Sequence, residues 1–469
     1  MRSEEDTFFR EGEARHTVDR FERMQRERAR SYFDVHEFED IIDYYLNTNR
    51  LKKASDAIKF GLSQHPGSYT IQHKEAQLLI DKGHIKQSLN LLKNLASVEA
   101  SNYEVFITFG TALSIAGLTD EAIQKFDQAL SLNPGDKDEV ASLIGFSLQD
   151  LEKYQEAVKY FRLSYKIDPT KHSCLNEMAY CYERSGQLAK AASLYKKYLE
   201  KEPFSAMVWY NLSIVYSRMD KFEDALSAID FAYAIDDTNP SVIYTKGDIL
   251  ASLQNFPKAI ESYLEFLEIE SDNIKGIISL ADCYDNLGDL KKAENYYEEA
   301  KSLDPDSPEV FFGMGMVQLK KKNYKLSRNY FKKALEKEND NAEFWYALSL
   351  VYDLQDNKLE AIDAIQKALD FDPLESNYWI VLAKLLVETG DISEAIRSLN
   401  SSFSFLPHNP SIHYWLAVYS LLNNSPKEGL YHLEQGFTLD FGLHEKILKD
   451  HKWILSLSKV KVMLDKYIR

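Results

Sequence analysis

The chain has 469 residues, of which 45% are hydrophobic and 28% are charged, and this balance excludes a disordered polypeptide. Its net charge of −17 argues against nucleic acid as a partner, because binding to phosphates requires a basic surface. Three cysteines are too few for a disulfide framework in a chain of this length, which favours a reducing compartment, the cytoplasm.

The first predicted element is an amphipathic helix within residues 1–34. Val18, Phe21 and Gln25 fall along one helical edge. We therefore predict that residues 1–34 form a lead-in helix that caps the array behind it. The arginines of this segment leave an independent binding role as the alternative, whereas its many acidic residues argue against a targeting peptide.

From residue 35 to residue 443 the sequence repeats with a period of 34 residues, and we number the places of each repeat from 1 at its first residue. The repeats start at residues 35, 69, 103, 138, 172, 206, 240, 274, 308, 342, 376 and 410, with one extra residue near 135–137. The segments Trp209–Tyr216 (WYNLSIVY) and Trp345–Tyr352 (WYALSLVY) show the period directly, since they lie four repeats apart. A fixed period of this length indicates an array of identical structural units.

Three places predict how the repeats pack. Place 20 holds a small residue in all twelve repeats, and place 8 does so in every repeat except the first, which has Ile42. Place 24 always holds a large apolar residue, such as Phe161 in the fourth repeat. Small residues let two backbones approach closely, and the large residue is a knob beside that gap.

Each repeat is predicted to contain two helices. In the repeat at 274–307, Ile277, Leu280 and Tyr284 lie at helical spacing on one stripe, and Ala293 and Tyr297 begin a second stripe. Gly288 lies between the stripes, where a residue in the left-handed conformation ends a helix at low cost. Neither helix is long enough to be stable alone, so each must be stabilised by its neighbours.

Residues 444–469 are predicted to close the array. Trp453, Ile454, Leu457 and Val460 are among the apolar residues that can cover the last hairpin, while the lysines between them face water. We therefore expect C-terminal capping helices in this segment.

A family resemblance follows from these residues. Trp209, Leu212, Tyr216, Ala225 and Ala232 stand in the phase of the tetratricopeptide repeat, and the array resembles the long, uninterrupted arrays of that family found in bacteria. The resemblance covers about 410 of the 469 residues. It implies an all-α fold, a right-handed α-solenoid superhelix of about twelve helix-turn-helix repeats with capping helices at both ends. It also implies a protein-interaction scaffold without catalytic activity, which holds its partner in the concave groove.

The resemblance further implies which residues line that groove, because the first helix of each hairpin faces the concave side in this family. The candidates are Phe146, Tyr180, Tyr210, Asn211, Tyr244, Asp248, Asp282 and Tyr346. Further outward-facing acids are expected at Glu183, Asp285 and Asp353.

Tyrosines offer contact area at low entropic cost, and carboxylates attract basic residues. We therefore expect a protein or peptide partner with basic and apolar residues, and we expect Tyr210 and Tyr244 to contribute most. The alternative is that the tyrosines pack on adjacent hairpins and the acids form a solvated face.

Other functions find less support in the sequence. Some arrays of this family hold an acidic chain terminus with a basic clamp; Asn211 fits one clamp place, but Tyr244 and Asp248 stand where lysines would be needed. We recognise no nucleophile setting, phosphate loop, cofactor motif or metal spacing, so we expect no enzyme activity, cofactor or metal. The most apolar stretch, residues 378–387, is short and contains Lys384, so we expect no membrane insertion.

Two alternatives stay open. The chain could be the substrate-recruiting subunit of a multi-protein enzyme or assembly whose catalytic part lies on another polypeptide. Less favoured is an RNA-binding array of the pentatricopeptide type, which the 34-residue period and the acidic charge oppose.

Overall fold

The structure, a computed structural model, describes residues 4–27, 31–133 and 135–467, and every regular element in these ranges is a helix. Residues 1–3 and 28–30 of the predicted lead-in segment, Pro134, and residues 468–469 of the predicted C-terminal segment lie outside the described residues. The predicted all-α array of about twelve helical hairpins is confirmed.

The hairpins follow one another without interruption by another kind of element. Helix α1 is Glu4–Glu27, and the hairpins are α2 (Val35–Asn47) with α3 (Leu51–Gln64), α4 (Tyr69–Asp81) with α5 (Ile85–Val98), α6 (Tyr103–Ile115) with α7 (Thr119–Leu132), α8 (Lys137–Asp150) with α9 (Tyr154–Ile167), α10 (His172–Arg184) with α11 (Leu188–Leu199), α12 (Ala206–Arg218) with α13 (Phe222–Ile235), α14 (Pro240–Ser252) with α15 (Phe256–Ile269), α16 (Ile274–Asn286) with α17 (Leu290–Leu303), α18 (Pro308–Lys320) with α19 (Tyr324–Lys337), α20 (Ala342–Leu354) with α21 (Lys358–Phe371), α22 (Ser376–Glu388) with α23 (Ile392–Ser401), and α24 (Pro410–Leu422) with α25 (Pro426–Leu439). The chain ends in α26 (Leu443–Ile447), α27 (Lys452–Ser456) and α28 (Ser458–Tyr467), with short 3₁₀ turns at Ser402–Ser404 and Leu448–Asp450.

One backbone conformation ends the first helix of every hairpin. The residue at place 15 has a positive φ in each repeat, and the twelve residues are Asn49, Gly83, Gly117, Glu152, Gly186, Asp220, Gln254, Gly288, Lys322, Asp356, Gly390 and Asn424. A left-handed residue at this point ends the helix and reverses the chain into the second helix. Seven of the twelve are not glycine, so the tight turn is kept even where the side chain disfavours it.

The predicted packing of the large place 24 against the small place 8 is confirmed. A Cβ atom added to Gly145 would lie 2.7 Å from the ring of Phe161, and one added to Gly247 would lie 2.6 Å from the ring of Tyr263. Both distances are shorter than van der Waals contact, so only the missing side chain at place 8 lets the ring rest on the first helix. Where place 20 is serine, as at Ser327, its hydroxyl donates to a place-8 carbonyl.

The tryptophans of the repeated segments form hydrogen bonds to the turn that precedes their helix. Nε1 of Trp209 donates to the carbonyl of Pro203 at 2.8 Å, and Nε1 of Trp345 donates to that of Asn339 at the same distance. Trp379 makes the corresponding bond at 3.0 Å. The tryptophan shared by the two segments therefore makes a structural contact, in which the indole N–H satisfies a loop carbonyl.

The chain divides into two compact units inside α13, between Ala228 and Ile229, which we call the N-terminal half and the C-terminal half. In the N-terminal half, Val18 and Phe21 of α1 are buried against Phe33 and Phe38 at the first hairpin. Arg20 adds an ion pair to Glu37 at 2.8 Å. The described part of α1 therefore packs against the first hairpin through its apolar residues.

The short helices of the C-terminal half pack on the last hairpin in a similar way. Leu448, Ile454 and Val460 are fully buried, and they share one apolar cluster with Leu416 and Leu433 of the last hairpin. The short helices after residue 443 thus lie on the last hairpin, while Val462 on α28 remains exposed.

Candidate functional site

The eight residues proposed from the sequence all lie on first helices. Phe146 is on α8, Tyr180 on α10, and Tyr210 with Asn211 on α12, in the N-terminal half. In the C-terminal half, Tyr244 and Asp248 are on α14, Asp282 is on α16 and Tyr346 is on α20. The two groups belong to separate compact units and are described separately.

Two of the predicted site residues in the N-terminal half have exposed aromatic side chains. Phe146 is 40% exposed and Tyr180 is 46% exposed, and both occupy place 9 of consecutive repeats. The ring of Phe146 rests edge-on against Phe161 at a centroid distance of 5.1 Å, and the ring of Tyr180 lies 6.4 Å from that of Tyr154. Each ring is therefore supported from one side and open to solvent on the other.

An open depression of about 530 Å³ adjoins Tyr180. It is lined by the end of α8, the following turn, the start of α9 and the outer side of α10, through Gln149, Asp150, Glu152, Tyr154, Asn176, Glu177, Tyr180 and Arg184. Nε2 of Gln149 donates to Oε2 of Glu177 at 2.7 Å, which orients that carboxylate. Nε of Arg184 donates to the hydroxyl of Tyr154 at 3.3 Å.

Asn211 and Tyr210 are less free than Tyr180. Nδ2 of Asn211 donates to Oδ1 of Asn176 at 3.0 Å, and the hydroxyl of Tyr195 donates to the same oxygen at 3.4 Å. Asn211 therefore links α12 to α10. Tyr210 is half-buried at the neighbouring place.

Tyr244 in the C-terminal half is anchored within the protein. Its hydroxyl forms a 2.9 Å hydrogen bond with the hydroxyl of Ser279 on the next first helix. Its ring contacts Phe266 at a centroid distance of 5.1 Å, and Nζ of Lys275 lies 4.7 Å from the ring centre. Burial raises the pKa of Tyr244 above its usual range. Tyr346 is similar, since its hydroxyl accepts a 2.9 Å hydrogen bond from Asn377.

Asp248 and Asp282 each accept a hydrogen bond from the tyrosine at place 24 of the same repeat. The hydroxyl of Tyr263 donates to Oδ1 of Asp248 at 2.7 Å, and the hydroxyl of Tyr297 donates to Oδ1 of Asp282. Burial raises the pKa of Asp248, and it raises the pKa of Asp282 to about 6 although the Tyr297 bond acts in the opposite direction. Asp282 is nevertheless exposed to solvent. The raised pKa and the solvent exposure of Asp282 are compatible if its carboxyl group lies in a recess, where water reaches one side and protein surrounds the others.

The further acids expected to face outward are instead tied into ion pairs. Asp285 is buried, with Nζ of Lys320 at 2.7 Å from its Oδ2, and Glu183 pairs with Arg218. In both pairs a place-12 acid meets the place-13 base of the next repeat. Asp353 pairs with Lys358 of the same repeat. Sequence reasoning missed these pairs, although the 35-residue separation of acid and base was a signal available in the sequence.

The residues that the structure describes also bear on metal binding and membrane insertion. Among these residues no group of histidines, cysteines and carboxylates is arranged to hold a metal ion. Within the same ranges, no helix is both long and apolar enough to cross a bilayer. The three cysteines are all unpaired and buried.

Comparisons with known proteins agree with the repeat pattern. Family profiles described as tetratricopeptide repeat match residues 139–171, 177–205, 194–227, 240–273, 275–307 and 312–376. The general transcriptional corepressor ssn6 of Schizosaccharomyces pombe is 26% identical over 129 residues, which are 27% of this chain and 12% of that protein. Human protein O-mannosyl-transferase TMTC1 is 23% identical over 188 residues, 39% of this chain and 21% of that protein. The chain thus spans a small part of these relatives.

Two solved structures are similar at low identity. Yeast Tom70 has a TM-score of 0.48 and 16% identity, over 82% of this chain and 96% of that one. A chain of the APC/C hetero-tetramer Cut9–Hcn1 has a TM-score of 0.43 and 15% identity, over 82% of this chain and 89% of that one.

Proposed function

The chain belongs to the tetratricopeptide repeat family, and we propose that it is a non-catalytic scaffold that binds a segment of a partner protein along the exposed face of its first helices. The observation that carries the proposal is the pair of exposed aromatic side chains, Phe146 and Tyr180, of which Tyr180 also lines an open depression. Two large exposed rings at the same place of consecutive repeats, on α8 and α10, offer a partner apolar contact area on neighbouring first helices.

Tyr180 is the leading anchor of this surface. Its ring is 46% exposed and is held by Tyr154, so binding would cover it without breaking an internal contact. Tyr244, in contrast, is bonded to Ser279 and lies under Lys275. Replacing Tyr244 would therefore change folding as well as binding, whereas replacing Tyr180 would change mainly binding.

The remaining proposed residues are candidate contacts within their own halves of the chain. Tyr210 and Asn211 follow Tyr180 on α12, and Tyr346 offers a half-buried ring in the C-terminal half. Asp248 and Asp282 would set a preference for a partner with basic residues, since tyrosine hydroxyls hold both carboxylates in place. The three unpaired cysteines suit a reducing compartment, and we place the protein in the cytoplasm.

A comparison of captured proteins tests the proposal. Full-length wild type, the double variant Phe146→Ala/Tyr180→Ala and the control Tyr431→Ala would each be incubated with lysate of the native source. Tyr431 is a matched control, because it is 56% exposed but lies on the second helix α25. We expect the double variant to lose, by about 30-fold or more in affinity, a partner that the control retains.

The same experiment decides against the proposal if every captured protein binds the double variant and wild type equally, while circular dichroism shows both to be folded. Co-purification of an active enzyme with the Tyr180-dependent partner would favour the substrate-recruiting alternative, which uses the same surface.

A further inference from the structure

We propose that the depression beside Tyr180 is a specificity pocket that accepts a lysine or arginine side chain of the partner. This inference rests on the proposed function, because it names the chemistry that the surface would recognise. It concerns residues that the sequence analysis did not single out, apart from Tyr180 itself.

The shape of the depression suits one long side chain. Its volume is about 530 Å³, and it opens to solvent between two consecutive hairpins. Asp150 and Glu152 lie on one side, at the end of α8 and in the turn, and Glu177 and Tyr180 lie on the other side, on α10. A side chain entering from the first-helix face would thus pass between carboxylates while its methylene groups cover the tyrosine ring.

The charge of the lining selects a cation. Asp150, Glu152 and Glu177 are three carboxylates against the single guanidinium of Arg184, so the lining carries a net charge of −2. The ion pairs of these hairpins use other acids, since Lys171 pairs with Asp138 and Arg218 pairs with Glu183. An anionic group would be repelled, whereas a partner's ammonium or guanidinium would balance the excess charge.

Arg184 shows how such a group can lie on this surface. Its guanidinium carbon is 6.0 Å from the ring centre of Tyr154, and its Nε donates to the hydroxyl of that residue. Tyr180 stands beside Tyr154 with the ring planes at 78°, and among the described residues no cation lies over its own ring, although Arg184 is near enough to interact with Tyr180 electrostatically. A second cation could therefore rest on the exposed Tyr180 ring, where cation–π attraction acts up to about 6 Å from the ring centre.

The carboxylate of Glu177 is the group best placed to contact that cation. Gln149 donates to its Oε2 and fixes its orientation, and Glu177 lines the depression together with Tyr180, one helical turn away on the same helix. Ring and carboxylate together would distinguish a basic side chain from a neutral one of similar length.

The test uses a probe that does not depend on knowing the partner. Random 12-residue peptides displayed on phage would be selected on the full-length chain, and the enriched peptides would be synthesised. Each lysine would then be replaced by norleucine and each arginine by citrulline. Affinities would be measured for wild type, Tyr180→Ala, Glu177→Gln and the control Glu156→Gln. Glu156 lies on α9 of the same region and does not line the depression.

We expect the selected peptides to share a lysine or arginine. Its neutral replacement and the Glu177→Gln change should each weaken binding about 3- to 10-fold, the range of a partly exposed ion pair. The two changes together should weaken binding no more than either alone, because both remove the same contact. Glu156→Gln should bind as wild type does.

Two outcomes would overturn the inference in distinguishable ways. Peptides that depend on Tyr180 but tolerate norleucine, citrulline and Glu177→Gln would refute the basic pocket and leave the binding surface intact. Peptides that bind Tyr180→Ala and wild type equally would refute both the pocket and the proposed surface.

Discussion

The hydroxyl of Tyr263 donates a 2.7 Å hydrogen bond to Oδ1 of Asp248, from the second helix of a hairpin to its first. The next repeat makes the same bond between Tyr297 and Asp282. The two carboxylates are therefore held from within the protein rather than extending freely into solvent. Their protonation is coupled to the packing of the hairpin, and this coupling can be measured.

Replacing Tyr297 by phenylalanine should raise the pKa of Asp282 above about 6, because the bond that stabilises the carboxylate is lost. Since the pKa of Asp282 is already raised from 3.8, its contribution to stability is present at low pH and is lost as pH rises through about 6. In Tyr297→Phe that loss should move to higher pH. Carboxyl ¹³C NMR on protein labelled at aspartate, assigned with Asp282→Asn, measures the pKa. Tyr296→Phe is the control, and an unchanged Asp282 titration in Tyr297→Phe would contradict the coupling.

Replacing Gly145 by alanine should destabilise the fourth hairpin by about 1–3 kcal/mol, the usual cost of overpacking. The new Cβ would lie 2.7 Å from the ring of Phe161. The second change Phe161→Leu should recover part of the loss, because a smaller side chain leaves room for the methyl group. Gly67→Ala is the control, as its Cβ would meet nothing within 4 Å. Equal denaturant midpoints for Gly145→Ala and Gly67→Ala would show that the ring can move aside.

Substitutions of the left-handed turn residue at place 15 should change the stability in opposite directions in two repeats. Gly288→Ala should cost about 1 kcal/mol, because φ is +81° and a side chain is disfavoured there even though nothing lies near its Cβ. Lys322, at the same place two residues after α18, has φ of 62°, so Lys322→Gly should be neutral to stabilising by up to about 1 kcal/mol. Urea midpoints of the two variants measure both effects, and a loss of stability in Lys322→Gly would show that its side chain makes a contact worth more than the backbone strain.

Acid should loosen the last hairpin. Nδ1 of His413 lies 3.0 Å from Nδ1 of His432, both rings are buried beside Phe403, and Tyr431 and His408 lie nearby. Burial lowers the pKa of His413 to about 4 and also lowers the pKa of His432. The pKa of a histidine in the unfolded chain is 6.5, so between pH 4 and pH 6.5 the unfolded chain binds protons more tightly than the folded chain. Stability should therefore fall as pH drops from 6.5 towards 4.

Hydrogen exchange in residues 410–443 at pH 7 and pH 5 measures this effect. The variant His432→Asn keeps a polar group at the position of Nδ1 but removes one titrating ring, so its protection should depend less on pH. The exposed His36 provides the control His36→Asn, which should leave the pH dependence unchanged. A His432→Asn variant as acid-sensitive as wild type would mean that other groups cause the loosening.

Removing residues 444–469 should melt the last hairpin. Leu448, Ile454 and Val460 are fully buried against it, and exposing a few hundred Å² of apolar surface costs several kcal/mol at about 25 cal/mol per Å². Val460→Asp should reproduce part of the effect, whereas Val462→Asp should not, because Val462 is 61% exposed on the same helix. Hydrogen exchange in residues 410–443 distinguishes the variants, and protection that survives both the truncation and Val460→Asp would show that the hairpin needs no cap.

For the predicted groove residues, the sequence pattern predicted the positions on the helices but not the exposure of the side chains. Periodicity identified the first helices and the places that bear Tyr180, Asp248 and Asp282, and the structure puts all three on those helices. It did not reveal that Tyr180 is open while Tyr244 is bonded to Ser279, although both are tyrosines on first helices. The exposure of such a residue depends on the side chains that the next hairpin brings against it.

By itself the sequence determined the array: the alternation of two helices, the turn at place 15, and the approach of place 24 to place 8. These features follow from interactions repeated along the array between residues near in the chain, with Ile42 in the first repeat as an exception at place 8, so the period records them. Only the tertiary structure decided which polar groups remain free. Tyr263 reaches Asp248 across 15 residues and Lys320 reaches Asp285 across 35, and each bond depends on the distance and angle between two packed helices. A period in the sequence carries no record of that geometry, because it arises only when the helices pack and their side chains compete for the same partners.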